Sequence, residues 1–392
     1  MKKVLKSWLL RSLAIVSLFF TVSALATAGT QYVVTNDDAP FPFLTSVSFY
    51  TVGTNGLPVF LQQVQTGTFG IGGGYFGMNR LAMLNNSAQQ CIYASEAGTG
   101  HIVGISVANL TVGGTATGSS SDGGTSNGIG LAVNSTYLYA SFSDSSTIGT
   151  FAVQTGCGLA FIGDTSVGGL QGGIINGMAI HGNMLVASYT DGSIESFNTS
   201  GGTPLSNNDK QSSTATVASQ GATYANSIDI TSDGHFAIFG DTATLMSVEV
   251  SDISTGKLTT PKVFRSTTTI SSSNIMLSPD ETMLYVVNTQ GASVSALFFN
   301  KSTGTLSVGC KSPRLSGQSA NWSYLVSMGL MSQTGNGGGV FVAEFGGSSG
   351  IAVVPLTASG NTCSLKEATG SPVLDGNSPG LLSIGNFPPR SF

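Results

Sequence analysis

Two carboxylates and one guanidinium are the side chains best placed for acid–base chemistry in this chain. Glu96 and Glu344 each end one copy of a short motif that recurs along the sequence, and Arg80 lies shortly before Glu96. A carboxylate can serve as a general base, and an arginine can hold a carbonyl or carboxylate oxygen. Glu96 and Glu344 are therefore candidate catalytic residues and Arg80 is a candidate ligand contact. A plain salt bridge between Glu96 and Arg80 is the alternative, and we prefer it.

The three histidines contribute little to a proton-transfer site. His181 and His235 fall in predicted hairpin turns, whereas His101 lies in a predicted loop after Gly98-Thr99-Gly100 and is the one histidine expected near a site. A lone histidine in a turn is usually a solvated surface residue. No two of the histidines have the spacing of metal ligands. We expect neither a metal ion nor a cofactor.

Amide side chains recur about five residues before the predicted hairpin turns. Amides do not titrate near neutral pH, so they can hydrogen-bond a ligand but cannot transfer protons. Phe142 and Tyr189 end two further copies of the motif, and flat rings beside amides suit a neutral sugar or a peptide backbone. Packing inside the fold is the alternative for these two rings, and we prefer it. The predicted ligand contacts are Asn79, Arg80, Asn127, Phe142, Asn176, Tyr189, Asn226 and Asn288.

The composition excludes two classes of protein. The 392 residues include only 14 Lys or Arg and 19 Asp or Glu, which is 8% charged residues, against roughly 25% in an average protein. A nucleic-acid-binding protein needs a basic surface, whereas the net charge here is −5. A disordered chain is poor in hydrophobic residues, which make up 41% of this one. Turn and strand formers dominate the remainder, which indicates an ordered all-β protein.

The N-terminal residues have the pattern of a secretory signal peptide. Lysines and an arginine precede an apolar run over residues 13–25, which ends at the small-residue site Ala26-Thr27-Ala28. Cleavage after Ala28 would leave residues 29–392 as one mature domain with no transmembrane segment. A retained N-terminal anchor is the alternative. We therefore expect a secreted or periplasmic protein of the cell envelope.

Four cysteines follow in the predicted mature chain, at positions 91, 157, 310 and 363. An even number in an exported protein predicts two disulfides, for which three pairings exist. None of the cysteines forms a CxxC pair or another metal-binding cluster. Cys91 lies in an apolar strand pattern, so a buried free thiol is the alternative for that residue.

The recurring motif predicts the architecture. It consists of an apolar pair, two small or β-branched residues, and a polar or aromatic residue. Seven copies occur at intervals of 46 to 61 residues, around Tyr32, Tyr93, Tyr139, Val186, Ala237, Tyr285 and Phe341. A period near 50 built of short strands is typical of a β-propeller. We predict seven blades of four strands each.

The two ends of the chain predict how the ring closes. The first motif lacks a preceding strand, whereas the last unit is followed by a spare strand-like segment over residues 378–384. Pairing of this C-terminal strand with the N-terminal blade would close the ring and remove open sheet edges. An open array of repeats is the alternative.

Two segments resemble the repeats of a known family. Tyr32-Val33-Val34-Thr35-Asn36 and the stretch from Ser278-Pro279-Asp280 to Leu284-Tyr285-Val286-Val287-Asn288 are similar to repeats of the YVTN/lactonase-like seven-bladed propellers. This family includes propeller-type 6-phosphogluconolactonases and carboxymuconate cyclases. The resemblance implies a ligand site at the mouth of the central channel, where the family enzymes carry histidines. The corresponding positions of this chain hold asparagine or serine. Fold analogy does not assign the reaction.

These observations favour a non-catalytic binding protein. We predict a monomeric, exported propeller at the cell envelope that recognises a neutral or weakly charged partner: a saccharide, a lactone or an envelope protein, but no nucleic acid. One alternative is a lactone hydrolase like the 6-phosphogluconolactonases, with Glu96 or Glu344 as the base and Arg80 holding the substrate. A phosphosugar would need several cations, and only Arg80 is in place. The other alternative is a structural envelope protein without a small-molecule site.

Overall fold

The computed structural model describes fourteen segments of the chain. These are residues 31–37, 43–70, 79–119, 129–170, 172–201, 205–212, 225–241, 247–265, 272–288, 291–317, 324–331, 338–345, 350–374 and 381–390. The predicted signal peptide and Asn127 lie outside the described residues. Asn226 belongs to a described strand, but its side chain lies outside the description.

Strands of the first half of the chain form four sheets, here called blades. Blade 1 contains β1 (Tyr32–Asp37), β2 (Ser46–Val52) and β3 (Pro58–Gln65). Blade 2 contains β4 (Leu81–Asn85), β5 (Gln90–Glu96), β6 (His101–Ser106) and β7 (Thr111–Thr117). Blade 3 contains β8 (Ile129–Val133), β9 (Tyr137–Phe142), β10 (Thr147–Val153) and β11 (Leu159–Ser166). Blade 4 contains β12 (Ile175–His181), β13 (Met184–Tyr189), β14 (Ser193–Asn198) and β15 (Ser206–Ser212).

The second half repeats the arrangement in three further blades. Blade 5 contains β16 (Ala225–Ile230), β17 (Phe236–Asp241), β18 (Ser247–Asp252) and β19 (Lys262–Arg265). Blade 6 contains β20 (Ser272–Leu277), β21 (Met283–Asn288), β22 (Ser293–Asn300) and β23 (Thr305–Lys311). Blade 7 contains β24 (Tyr324–Leu330), β25 (Gly339–Phe345), β26 (Gly350–Ser359) and β27 (Thr362–Leu365), and the short β28 (Val373–Leu374) pairs with β26. The last strand, β29 (Leu381–Phe387), returns to blade 1.

Strand β29 closes the ring as predicted. It pairs antiparallel with β1, with Tyr32 opposite Phe387, and so becomes the inner strand of blade 1. The inner strands β29, β4, β8, β12, β16, β20 and β24 each contact the next one around the circle, and β24 contacts β29. The protein is therefore a seven-bladed β-propeller, as the repeats predicted. β29 covers the described part of the segment expected from sequence, and residues 378–380 lie outside the described residues.

The hydrophobic core is divided into seven clusters, one between each pair of neighbouring blades. The motif residues of the second strands supply much of it, because alternate side chains of a strand face opposite neighbours. Tyr93, Tyr139 and Tyr285 are completely buried there. Burial raises the pKa of each of these three phenols to about 12. The recurring tyrosine of the motif is thus a packing residue between blades.

Two disulfides join neighbouring blades. Cys91 on β5 pairs with Cys157, which lies between β10 and β11, so blades 2 and 3 are linked. Cys310 on β23 pairs with Cys363 on β27 and links blades 6 and 7. The loop that carries Cys157 lies directly on blade 2: a Cβ added to Gly104 would stand 1.9 Å from the Cys157 carbonyl oxygen. The alternative of a free thiol at Cys91 is therefore wrong.

The two disulfides bear on the compartment. Disulfides persist in oxidising environments outside the cytosol, so the two bridges agree with a secreted or periplasmic location. The part of the chain that the structure describes contains no helix long and apolar enough to cross a membrane. The signal peptide itself remains a prediction.

Candidate functional site

The inner strands surround a central channel with a cavity of about 210 Å³. Each inner strand places one large apolar side chain at the same level of the channel. These seven residues are Leu81, Leu131, Met178, Ile228, Ile275, Met328 and Ile384, and none is more than 9% exposed. They are buried because each also packs into the hydrophobic cluster between its blade and a neighbour. We call this ring, together with the uncharged residues of the level below it, the channel wall.

The next position along the inner strands carries mostly small residues. They are Ala82, Ala132, Ala179, Asp229, Met276, Gly329 and Gly385. Side chains of one carbon or none leave the axis unfilled at this level, which accounts for the cavity. The glycines also let two inner strands approach: a Cβ added to Gly329 would stand 3.1 Å from the Gly385 backbone.

An ion pair lies at the end of the channel where the inner strands finish. Asp229 on β16 is the one charged residue of the small-residue level, and its carboxylate accepts a hydrogen bond of 2.8 Å from the Arg390 guanidinium. Arg390 follows β29 and also donates to the Ile230 carbonyl oxygen. Burial raises the pKa of the Asp229 carboxyl, whereas the Arg390 charge and the N–H groups of Leu277 and Ile230 act in the opposite direction.

Further charged groups extend this ion pair between blades 5 and 6. Glu281 is buried, lies 4.0 Å from Arg390, and forms an ion pair with Lys301. Lys301 also lies 3.6 Å from Asp233. Partial burial acts to raise the pKa of Asp233, but hydrogen bonds from Thr231 and the His235 N–H, together with the Lys301 charge, outweigh it and hold the pKa below its usual range. We call Asp229, Asp233, Glu281, Lys301 and Arg390 the channel floor.

The motif-ending residues hydrogen-bond within their own blades. The Asn288 amide donates to the hydroxyls of Ser293 at 3.4 Å and Ser295 at 2.9 Å. At the equivalent place in blade 1, the Asp37 carboxylate accepts hydrogen bonds from Ser46 at 2.7 Å and Ser48 at 2.6 Å. The geometry follows from the hairpin, because the end of the second strand lies beside the first and third residues of the third strand.

The two aromatic residues that end motif copies are also buried. The Tyr189 hydroxyl donates to the Glu195 carboxylate of the neighbouring strand. Phe142 covers the backbone of Gly149, where an added Cβ would stand 2.9 Å from the phenyl ring. Neither side chain is more than 1% exposed, and both belong to clusters between blades. Their described contacts are packing contacts and, for Tyr189, the hydrogen bond to Glu195.

The candidate catalytic carboxylates lie in different blades and are fully buried. Glu96 ends β5 directly opposite His101 on β6. Glu344 on β25 is covered by residue 317, since a Cβ added to Gly317 would stand 2.0 Å from a Glu344 carboxylate oxygen. None of the contacts described for these segments joins the two glutamates. Their catalytic role stays a prediction.

The predicted amide ring is only partly described. Asn79 is partly buried and lines the channel. Asn176 is 1% exposed and lies outside the channel lining. Asn127 and the side chain of Asn226 cannot be placed, because they lie outside the described residues. Arg80, beside Asn79, is 2% exposed, and its backbone carbonyl accepts a hydrogen bond from the Ser95 N–H.

Comparison with known proteins decides the family. Residues 91–323, more than half of the chain, match the family described as Lactonase, 7-bladed beta-propeller. The chain belongs to this lactonase propeller family. No curated protein matches it in sequence.

Solved structures share the fold of this lactonase-family propeller at low sequence identity. A Bacteroides fragilis protein provisionally named a 6-phosphogluconolactonase is 13% identical, with a TM-score of 0.66 over 92% of this chain and 99% of that one. A Bacteroides uniformis protein with the same provisional name is 13% identical, with a TM-score of 0.65 over 91% and 99%. The periplasmic gluconolactonase of Pseudomonas aeruginosa is 13% identical, with a TM-score of 0.51 over 71% and 80%. At these identities the likeness shows the fold alone.

Three residues of this lactonase-family propeller were missed or misjudged from sequence. Asp229 and Arg390 had no signal, because a single aspartate in a strand and an arginine near the C-terminus are ordinary features. His101 was expected in a loop, yet it opens β6 and is partly buried. The glycine-rich turn was the available signal. A hairpin that turns at Gly98-Thr99-Gly100 pairs the strand before it with the strand after it, and so places His101 beside Glu96. Among the described residues, no group of three or more His, Cys, Asp or Glu could hold a metal ion.

Proposed function

We propose that this lactonase-family propeller is a non-catalytic binding protein of the cell envelope that holds an uncharged or weakly charged ligand at its central channel. The lining of the channel carries the proposal. Its described charges are those of Asp229 and Arg390, which neutralise each other at 2.8 Å. A general acid or base needs a titratable group within hydrogen-bond reach of the reacting atom. Here the titratable group at the cavity is already engaged in an ion pair.

The apolar wall also selects against charged ligands. A charged group that leaves water for an apolar cavity loses its hydration without gaining partners, which is costly. Lys and Arg side chains that could compensate a phosphate are missing from the described lining, apart from Arg390. A neutral lactone fits this channel better than a saccharide, because a sugar needs several polar contacts. An envelope protein could bind at the rim. A monomeric state remains our expectation.

One observation favours lactone hydrolysis as the second candidate function. The strand register places Glu96 opposite His101, and the Ser95 N–H hydrogen-bonds the Arg80 carbonyl oxygen on the channel side. Glu96 at the end of β5, His101 at the start of β6 and the channel-lining Asn79, which precedes β4, thus all belong to blade 2. Relatives in structure are named gluconolactonases. In this candidate function Glu96 or Glu344 would be the base and Arg80 would hold the lactone.

A hydrolysis assay separates the two functions. The predicted mature chain, residues 29–392, is purified and incubated with glucono-δ-lactone, 6-phosphogluconolactone and an uncharged alkyl lactone. The Glu96→Gln and Glu344→Gln variants are assayed in the same way. Glu249→Gln in blade 5 is the matched control, because Glu249 is also a completely buried glutamate. We expect no turnover above the spontaneous rate with any variant. Turnover that falls at least tenfold in Glu96→Gln or Glu344→Gln but persists in Glu249→Gln would replace binding with catalysis.

A further inference from the structure

We infer that the outer edge of blade 1 is a docking site for an extended, uncharged polypeptide segment of another envelope protein, which adds to β3 as a further strand. The site lies on the rim of the ring, away from the channel, so the inference goes beyond the proposed function. Strand β3 is the last strand in the sheet order β29-β1-β2-β3, and none of the described segments pairs with its outer side. The peptide groups on that side can therefore hydrogen-bond a partner strand.

Three consecutive apolar side chains stand exposed on this edge strand. Val59, Phe60 and Leu61 are 52%, 51% and 46% exposed. The Phe60 ring meets the ring of Tyr50 on β2 edge-on, with 5.7 Å between the ring centres. Leu61 is the extra residue of a β-bulge, because Phe60 pairs with Tyr50 and Gln62 pairs with the residue before it. Since a bulge interrupts regular pairing, we expect a short added strand that also covers these apolar side chains.

The outer strands of the other blades are protected by charges, a covering loop or shortness, whereas β3 has only Pro58 at its first position and the bulge. Strand β7 lies against a loop of blade 3, where a Cβ added to Gly113 would stand 1.9 Å from the Gly156 carbonyl oxygen. Strand β27 has four residues and is joined to β23 by a disulfide. The remaining outer strands contain charged residues, among them Asp164 on β11, Lys210 on β15, Lys262 on β19 and Lys311 on β23. Strand β3 has eight residues and no charge, so none of these obstacles meets a partner strand there.

The charge pattern around β3 explains why the partner segment is uncharged. Residues 39–79, which include β2 and β3, contain no Asp, Glu, Lys, Arg or His, and this is the longest such stretch of the chain. A charged segment that docked here would lose part of its hydration without gaining an opposite charge. A neutral segment with apolar residues at alternate positions matches the exposed side chains, because alternate residues of a strand face the same side.

The open edge also distinguishes a polypeptide from other occupants. In a lipid phase, the free N–H and C=O groups of a sheet edge would have no hydrogen-bond partner, which is costly. An extended polypeptide satisfies the same groups and covers the apolar side chains as well. A second copy of this chain would bring together two molecules of equal net charge, −5 each, which repel one another. The observations therefore favour a segment of a different protein.

Selection from a displayed library of short random peptides provides a direct test. The predicted mature chain, residues 29–392, is the target, and an unrelated protein serves for counter-selection. We expect enriched peptides without net charge that carry apolar residues at alternate positions. Amide hydrogen exchange measured by mass spectrometry locates the site, and a synthetic copy of an enriched peptide should slow exchange in residues 58–65. Exchange in the outer strands of the other blades should stay the same.

Variants of the exposed side chains complete the test. Leu61→Lys places a charge at the edge, and Val59→Thr removes apolar surface with little change in shape. Val308→Lys is the matched control, because Val308 is also an exposed apolar residue beside a bulge, on the outer strand of blade 6. We expect at least tenfold weaker peptide binding in Leu61→Lys, an intermediate loss in Val59→Thr and no change in Val308→Lys. The melting temperature of each variant shows whether it folds, and Val59→Thr keeps the test valid where Leu61→Lys does not fold.

Four results would overturn the inference. The first is a selection that enriches no peptide over the unrelated protein. The second is peptide binding that Leu61→Lys and Val59→Thr leave unchanged, and the third is protection from exchange outside residues 58–65. The fourth is a dimer in analytical ultracentrifugation that Leu61→Lys dissociates, since the edge would then serve a second copy of the chain.

Discussion

The wall and the floor of the channel are built in opposite ways. The wall repeats one pattern seven times, with an apolar residue at equivalent positions of successive inner strands. The floor combines charged residues from distant segments, so that Arg390 meets Asp229 across 161 residues of sequence. Hydrophobic packing does not depend on the ionisation of either partner, whereas the stability from a buried ion pair depends on pH, because protonation of the carboxyl removes the pair. Five of the 33 charged residues of the chain lie together where the C-terminal segment docks.

Loss of Arg390 is expected to have the largest effect on stability. Arg390→Ala leaves the largely buried Asp229 carboxylate without its counter-charge, and breaking such a buried pair costs about 3–5 kcal/mol. Urea unfolding monitored by circular dichroism measures the change. The double variant Asp229→Asn with Arg390→Ala should recover most of the loss, since no charge is then left alone. A double variant that loses the sum of both single changes would mean that the floor does not act as a pair.

Removal of one wall side chain should reduce stability less than loss of Arg390, and the reduction should not depend on pH. Leu131 is 2% exposed and packs between blades 2 and 3, so Leu131→Ala should reduce the free energy of unfolding by about 2–3 kcal/mol. Leu131→Met, which keeps the volume, should cost less than about 1.5 kcal/mol. Unfolding at neutral and at acidic pH should give the same loss for Leu131→Ala but a smaller loss for Arg390→Ala at acidic pH, where protonation of the Asp229 carboxyl removes the unpaired charge. Equal pH dependence of the two losses would contradict the contrast between wall and floor.

The smallest predicted effect is the loss of stability at alkaline pH that results from the buried tyrosines between the blades. The pKa of Tyr139 is raised to about 12 by burial, against about 10 in the unfolded chain. Between these values the unfolded chain releases the phenolic proton and the native protein does not. Stability is therefore fully present below pH 10 and declines above it, by about 1 kcal/mol per such tyrosine at pH 11.

Tyr139→Phe isolates this alkaline contribution. The variant should lose less stability than the parent between pH 9 and pH 11, measured by urea unfolding at each pH. Tyr32→Phe is the control, because Tyr32 is only partly buried and is not among the fully buried tyrosines. An unchanged alkaline decline in Tyr139→Phe would show that the phenol is not kept neutral by the blade interface.

Local patterns were sufficient to predict the blades. Each motif copy occupies one second strand, and its spacing counts the blades without knowledge of any contact between them. The closing strand was predicted for the same reason, since a repeat without its first strand implies a partner elsewhere. The roles of the motif-ending residues were harder to predict. The Ser-x-Ser pattern at the start of β2 and β22 indicates a hydroxyl pair, yet only the hairpin register shows that it serves Asp37 and Asn288.

The amino-acid sequence by itself determined a seven-bladed, nearly uncharged propeller with four cysteines and a strand left over at the C-terminus. These features are local or additive, so periodicity and composition are enough to predict them. Only the tertiary structure decided that Cys91 pairs with Cys157, that Phe142 and Tyr189 pack between blades, and that Arg390 pairs with Asp229 at the end of the channel. The first two depend on how neighbouring blades pack and the third on ring closure, and no spacing in the sequence relates these residues.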